Sequence, residues 1–448
     1  MDFQNFKKAV FDTAKEKGLT EYELYYQTAE STSAGAFGHE IDSFSASVEG
    51  GVCFRCIVEG KMGYASTEHL SCDQAKDLVT KAYENAKVLE AEEPVFLNAG
   101  DLTYAPLTLD PYPLPSAQEL IGTVLSTQEK LYGADPSVID GCSVQGISEA
   151  MELAICNSKG LDLHYRNHAA GLIVGALIEE KGEKANLHKI KLAKLDTIDT
   201  DALVTEAVTG AKNKLGGDVA PTGVCPVVFD PEAMSSLLQV FSSVFSAESA
   251  QKGLSRLADR EGQIIASEAV TLMDDPFHKD NPMPIPFDAE GSPTFCKAVI
   301  EKGVLKTLLY NLKTANQAGK ATTGNASKAK YSASVGTRPF TMYLQGGDMT
   351  EEQLLQKAGS GVYINALSGL HAGANPISGD FSLQSAGYLI ENGKKTTPVK
   401  AFTVAGNFYT LLKDITAVAD NMRLPMALDI TAFGAPSTLV ENLSIAGK

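Results

Sequence analysis

The pair Asn392-Gly393 lies between two strand-forming runs, GYLIE and KTTPVKAFTV. A two-residue connection of that chemistry closes a type I′ turn, because both residues tolerate positive φ. The flanking strands must then run antiparallel. Comparable punctuation occurs at Glu59-Gly60, at residues 157–160 (NSKG) and at Lys302-Gly303, each between alternating or β-branched runs. A chain built on such turns folds as hairpins.

Helical periodicity falls between the groups of hairpins rather than after every strand. Ser71 opens a stretch with Ala75, Leu78, Val79, Ala82 and Ala86 on one face, and Ser116 with Glu119 forms a capping box ahead of Leu120, Val124 and Leu131. Further helices are expected over residues 200–214, 231–247, 350–358 and 407–417. The fold class expected is α+β: mostly antiparallel, hairpin-built sheets with packed helices, in two to three domains. Residues 92–115, with five prolines, and 214–226 (KLGGDVAPTGVCP) resemble linkers. They divide the chain into an N-terminal α+β domain at 1–100, a middle α+β domain at 101–221, with one unit spanning both as the alternative, and a mostly-β C-terminal domain at 222–448.

Composition narrows the function. The 448 residues carry 38 Lys and Arg against 55 Asp and Glu, a formal charge of −17, which repels nucleic-acid phosphates and anionic lipid. No nucleic-acid partner is expected. The longest strongly apolar run, residues 169–178 (AAGLIVGALI), is far short of the ~20 residues of a spanning helix, so no membrane partner is expected either. Phe3, Phe6 and Val10 recur at helical spacing among charges, which predicts a surface helix rather than a signal peptide. Seven scattered cysteines do not make a disulfide scaffold, and the expected location is the cytoplasm.

The usual catalytic signatures do not assemble. Cys53 and Cys56 form a C-x-x-C within a strand pattern, where positions three apart face opposite sides, and so read as buried structural residues. His164 and His168 are four apart but also on a predicted strand, about 13 Å from each other, and read as surface or edge histidines. His39-Glu40 starts like a metalloprotease signature, but Ser43 and Phe44 stand where a second histidine would fall. There is no P-loop, dinucleotide fingerprint or G-x-S-x-G elbow. What remains is residues 371–408, dense in Gly, Asn, Asp and Ser. There Gly379, Asp380, Phe381 and Ser382 form a turn that exposes backbone amides, and Gly406 and Asn407 open the next helix. On local grounds turn chemistry and capping are the favoured account of these residues.

In this segment GDFSLQSAGYLIENG, followed by PVKAFTVAGN, resembles the C-terminal signature of the TldD/PmbA family, described as modulators of DNA gyrase and as peptidases. Residues 262–276 (GQIIASEAVTLMDDP), 287–294 (FDAEGSPT), 299–327 and 414–421 (DITAVADN) extend the resemblance, and GVCFRCIVEGKMGYAST at 51–67 is similar to the family's first-domain hairpin. The family implies a two-component cytoplasmic metallopeptidase. One subunit, TldD-like, carries zinc on H-E-x-x-x-H and a later cysteine, and its PmbA/TldE-like partner lacks that site. Here the motif's place is taken by Leu238, Gln239, Val240, Phe241, Ser242 and Ser243, and no cysteine follows Cys296. The resemblance therefore implies no catalytic residue, no metal and no cofactor in this chain. Zinc is expected in a TldD-like partner, and an extended peptide or small unfolded protein as substrate, contacted at Gly379, Asp380, Phe381, Ser382, Gly406 and Asn407. When isolated, such a subunit is expected to form a homodimer.

Two other readings fit the same residues. One is a homodimeric peptide- or protein-binding module without hydrolytic activity. The other is an independent hydrolase using dispersed groups such as His371, Asp380 and Ser382.

Overall fold

A computed structural model describes residues 1–90, 94–107, 113–281, 283–424 and 431–448 of the protein. Part of the expected first linker, at 92, 93 and 108–112, lies outside the described residues. The N-terminal half runs α1 (Phe3–Glu16), β1 (Glu21–Phe37), β2 (Glu40–Val58), β3 (Lys61–Thr67), α2 (Cys72–Val88), α3 (Ala117–Gly133), β4 (Ser143–Asn157), β5 (Asp162–Glu180), β6 (Glu183–Leu192) and α4 (Thr200–Lys212). Its six strands form one antiparallel sheet in the order β3-β2-β1-β4-β5-β6, continuous across residues 21–192.

That sheet has two faces with different partners. Leu24, Phe54, Ala154 and Cys156 point toward α1 and α2, and Val144, Leu172 and Val174 toward α3 and α4. Residues of the other parity, Tyr25, Cys53, Met151, Leu153 and Tyr165, pack against Ile285, Phe287 and Phe340 of the C-terminal half. Cys53 and Cys56 therefore lie on opposite faces, both buried, as strand periodicity requires. The expected surface helix at the N-terminus is α1, capped by Asp2 and burying Phe3, Phe6 and Val10.

The C-terminal half runs β7 (Gly223–Phe229), α5 (Pro231–Phe241), α6 (Ala247–Gln251), β8 (Leu272–Asp274), β9 (Lys297–Glu301), β10 (Val304–Leu305), α7 (Leu312–Gln317), β11 (Ala326–Ser327), β12 (Gly336–Thr337), β13 (Thr341–Leu344), α8 (Glu351–Ala358), β14 (Gly361–Ser368), α9 (Leu370–Gly373), β15 (Asp380–Glu391), β16 (Lys394–Asn407), α10 (Phe408–Asp414), β17 (Ile415–Val418), β18 (Ala432–Gly434) and β19 (Thr438–Ala446). Its larger sheet has the order β16-β15-β14-β7-β19-β17, and β16 also pairs with β19. Strands β7, β14, β15, β16 and β19 thus close a ring, which leaves none of the five as a free edge along its whole length. A five-stranded sheet, β10-β9-β8-β13-β18, packs across a core that also holds α5 and α10. Among the named strands, β7 with β14 and β13 with β18 pair in parallel and the rest antiparallel. The architecture is α+β.

Two expected helices end early. The stretch 231–247 is helical only to Phe241, then turns through a 3-10 segment, Ser242–Phe245, before α6. Ser242 Oγ donates to the Gln239 carbonyl, and Ser246 accepts from Ser249 N as a new cap, so serine side chains compete with the helical ladder. The helix begun at Asn407 stops at Asp414, because Ile415, Ala417 and Val418 pair with β19 as β17, with an irregularity at Thr416.

The halves are joined by polar contacts as well as by apolar packing. Arg55, 4% exposed, donates from Nε to Glu23 at 2.8 Å and lies 3.6 Å from Glu290 across the junction. Tyr104 Oη donates to the Gly291 carbonyl and Tyr165 Oη to the Pro284 carbonyl. The loop at 283–294 is thereby pinned to the first sheet.

Candidate functional site

All six of the contact residues singled out from sequence lie together at one corner. Asp380 pairs with Asn407 and Phe381 with Gly406 at the start of β15 and the end of β16, and Ser382 follows opposite Ala405. Gly379 precedes them at φ +82°, where a Cβ would strike the Tyr409 ring. Asn407 holds the corner. Its Oδ1 accepts from Tyr409 N to cap α10, and its Nδ2 donates to the Ser378 carbonyl and to Asp380 Oδ1, each at 2.8 Å. These bonds occupy both ends of the amide, so capping explains Asn407 in full. The same donation from Asn407 holds the Asp380 carboxyl below its usual range, leaving an exposed anion.

Phe381 is buried against Phe241, and Phe241 stacks on Phe408 with ring centroids 4.6 Å apart. The corner is therefore packed on the helix that carries the motif's place, a juxtaposition of segments some 140 residues apart. Ser382 is exposed on β15, and His371 is exposed on the short α9. Among the described residues no hydrogen bond links His371 to Asp380 or Ser382, so the dispersed trio does not form a triad.

The donor set at residues 238–243, where the resemblance places the motif, decides whether zinc fits there. Leu238 and Phe241 point into the core, at 3% and 0% exposure, beside Leu237, Val244 and Phe245. Gln239 and Ser243 face solvent. Hydrocarbon, an amide and a hydroxyl do not supply the imidazole, thiolate or carboxylate donors that zinc takes, and these residues do not fit that ion.

Among the described residues one group of three metal-capable side chains converges elsewhere: Cys156, Asp162 and His164. Asp162 already receives Lys7 Nζ at 2.8 Å and Cys156 Sγ at 3.0 Å. Burial, reinforced by Asp162, pushes the Cys156 thiol up to about 12, so it remains a protonated donor rather than a thiolate ligand. His164 and His168 both lie on β5, as their strand reading requires.

A further feature has no signal in the sequence. Between the first sheet and the C-terminal half lies a cavity of about 300 Å³, walled by Met151, Leu153, Ile285 and Phe340 and bordered by Asp288 and Lys328. Its volume is at the lower end for small-ligand sites. Burial, followed by the nearby Glu290, pushes the Asp288 carboxyl up to about 7, although three backbone N–H groups donate to it. These residues come from four distant stretches, and only the packing of the two halves brings them together.

The family profile described as the PmbA/TldA metallopeptidase C-terminal domain matches residues 222–447, and that described as PmbA/TldA metallopeptidase domain 1 matches residues 22–86. An uncharacterized protein of Methanocaldococcus jannaschii is 27% identical over 90% of this chain and 93% of its own length. A metalloprotease PmbA homolog of Haemophilus influenzae is 24% identical over 91% and 88%, and a metalloprotease TldD homolog of that organism 22% over 98% and 95%. A candidate modulator of DNA gyrase from Thermotoga maritima superposes with a TM-score of 0.90 at 29% identity, covering 99% of this chain and 100% of that one. TldE from Thermococcus kodakarensis has the same fold, with a TM-score of 0.86 at 24% identity over 98% and 100%. With more than half its length matched by one profile and its opening hairpin by another, the chain belongs to the PmbA/TldD metallopeptidase family.

Proposed function

We propose that this protein is the non-catalytic, PmbA/TldE-like subunit of a two-component cytoplasmic metallopeptidase. Zinc sits in a TldD-like partner, and this chain helps to hold extended or unfolded peptide substrates. The observation that carries the reading is that Leu238 and Phe241 of α5 are core hydrocarbon, while the exposed Gln239 and Ser243 offer an amide and a hydroxyl rather than the imidazole, thiolate or carboxylate that zinc takes. Gln239 also lacks the carboxylate that would act as general base on a zinc-bound water.

The substrate contacts proposed are Gly379, Asp380, Phe381, Ser382, Gly406 and Asn407. Of these, Asp380 and Ser382 are exposed, and the other four support their position through packing and capping. Because β15 and β16 are inside the closed ring, a peptide would meet strand ends and the Asp380 carboxylate there, not a free sheet edge. The test is to co-express the chain with an H-E-x-x-x-H paralogue from the same organism, and to assay complex formation and cleavage of an unfolded peptide. A stable complex whose activity needs both chains is expected. Failure to associate, together with unchanged cleavage by the paralogue alone, would contradict the proposal and favour the homodimeric binding module.

A further inference from the structure

The interior of the cavity between the two halves has an electrostatic imbalance. Lys328 follows β11 directly, is 7% exposed, and borders the cavity. Its ammonium lies 4.8 Å from the centre of the Tyr25 ring, and among the described residues no carboxylate is within ion-pair distance of it. Burial pulls its pKa down, the Cys53 sulfur and the more distant Glu23 carboxylate opposing that shift and the Arg55 charge adding to it. A cation taken out of water without a counter-charge is costly, and an anion entering the cavity would offset that cost.

The other charged groups on the wall do not serve as that counter-charge. Asp288 accepts from Glu290 N and Ser292 N at Oδ1 and from Ala326 N at Oδ2, all at 2.9 Å, so its lone pairs are directed at backbone. Glu149 and Arg338 are each engaged in contacts of their own. The rest of the wall is largely hydrocarbon, with Met151, Leu153, Ile285 and Phe340 facing the space. At ~30 Å³ for a water-sized group, about 300 Å³ admits a ligand of roughly ten non-hydrogen atoms.

We propose that this cavity binds a small apolar ligand ending in a carboxylate, with the carboxylate against the Lys328 ammonium and the apolar body against Met151, Leu153, Ile285 and Phe340. Two sources share this chemistry: the C-terminal residue of a short peptide and a free aliphatic acid. The assignment does not depend on the two-subunit reading, since the cavity is formed by one chain.

The test is calorimetric titration of the full chain with N-acetyl-leucine, N-acetyl-leucinamide and hexanoate, and of the K328M variant with the same three. N-acetyl-leucine is expected to bind, its amide at least about tenfold more weakly because the charge-assisted contact is lost, and K328M to lose the preference for acid over amide. N-acetyl-leucine binding more tightly than hexanoate assigns the site to peptide ends, and the reverse order assigns it to aliphatic acids. Equal binding of acid and amide, no binding of either acid, or acid binding unchanged in K328M would overturn the proposal. The acid and amide comparison on the unaltered chain decides the matter even if K328M does not fold.

Discussion

At the scale of single residues, Asp230 makes the most direct prediction. It caps α5 through a bond accepted from Ala233 N, yet burial, with Glu232 and Glu351 nearby, pushes its carboxyl up to about 7. A raised carboxylate pKa means that the folded state holds a proton the unfolded chain releases at about 4. The stability linked to this group is therefore fully present below about pH 4 and is lost as the pH rises toward 7. Asp230→Asn keeps the cap and removes the titration. The variant is expected to melt several degrees higher than the parent at pH 8 and within about a degree of it at pH 4, roughly 2–4 °C for each kcal/mol gained. Asp230 carried no signal in the sequence, where Asp-Pro-Glu reads only as a helix start. Asn407, by contrast, was legible because capping depends on neighbours two residues away. Whether Asp380 and Ser382 touch a ligand depends on surfaces that no local pattern encodes.

At the scale of elements, the hairpins were the most legible part of the molecule, because a type I′ turn is decided by two residues. Both residues have positive φ at Glu59-Gly60, Lys302-Gly303 and Asn392-Gly393. The same geometry occurs at Gly38-His39, joining β1 to β2, and at Lys181-Gly182, joining β5 to β6. Those two turns were not anticipated, although each contains the glycine that marks such a turn. Gly393 has φ +71°, and a Cβ there would come within 2.8 Å of Gln356 Cα on α8. Gly393→Ala is expected to cost about 1–2 kcal/mol for the left-handed backbone alone, read as a lower urea midpoint with an unchanged slope. An unchanged midpoint would mean that the turn rearranges freely. The helix ends at Ser242 and Asp414 were missed for a physical reason: serine caps and strand pairing with β19 override periodicity that continues past both points.

At the scale of the whole molecule, the junction between the halves depends on Arg55. Replacing it by Met leaves Glu23 and Glu290 buried without their cation, and the expected loss is about 3–5 kcal/mol in equilibrium unfolding. A loss below about 1 kcal/mol would mean the two carboxylates take up protons or water instead. The cavity at this junction could not be read from the sequence, since Tyr25, Met151, Ile285 and Lys328 meet only once both halves are folded. Family membership, in contrast, was legible in motifs spread over the C-terminal half. The central claim of the proposed function is that residues 238–243, with no imidazole, thiolate or carboxylate among them, leave the chain unable to hold zinc by itself. The direct measurement is the zinc content of the purified full chain after equilibration with zinc and gel filtration. The account predicts substoichiometric zinc, and one tightly held equivalent per chain, ligated by its own side chains, would contradict it.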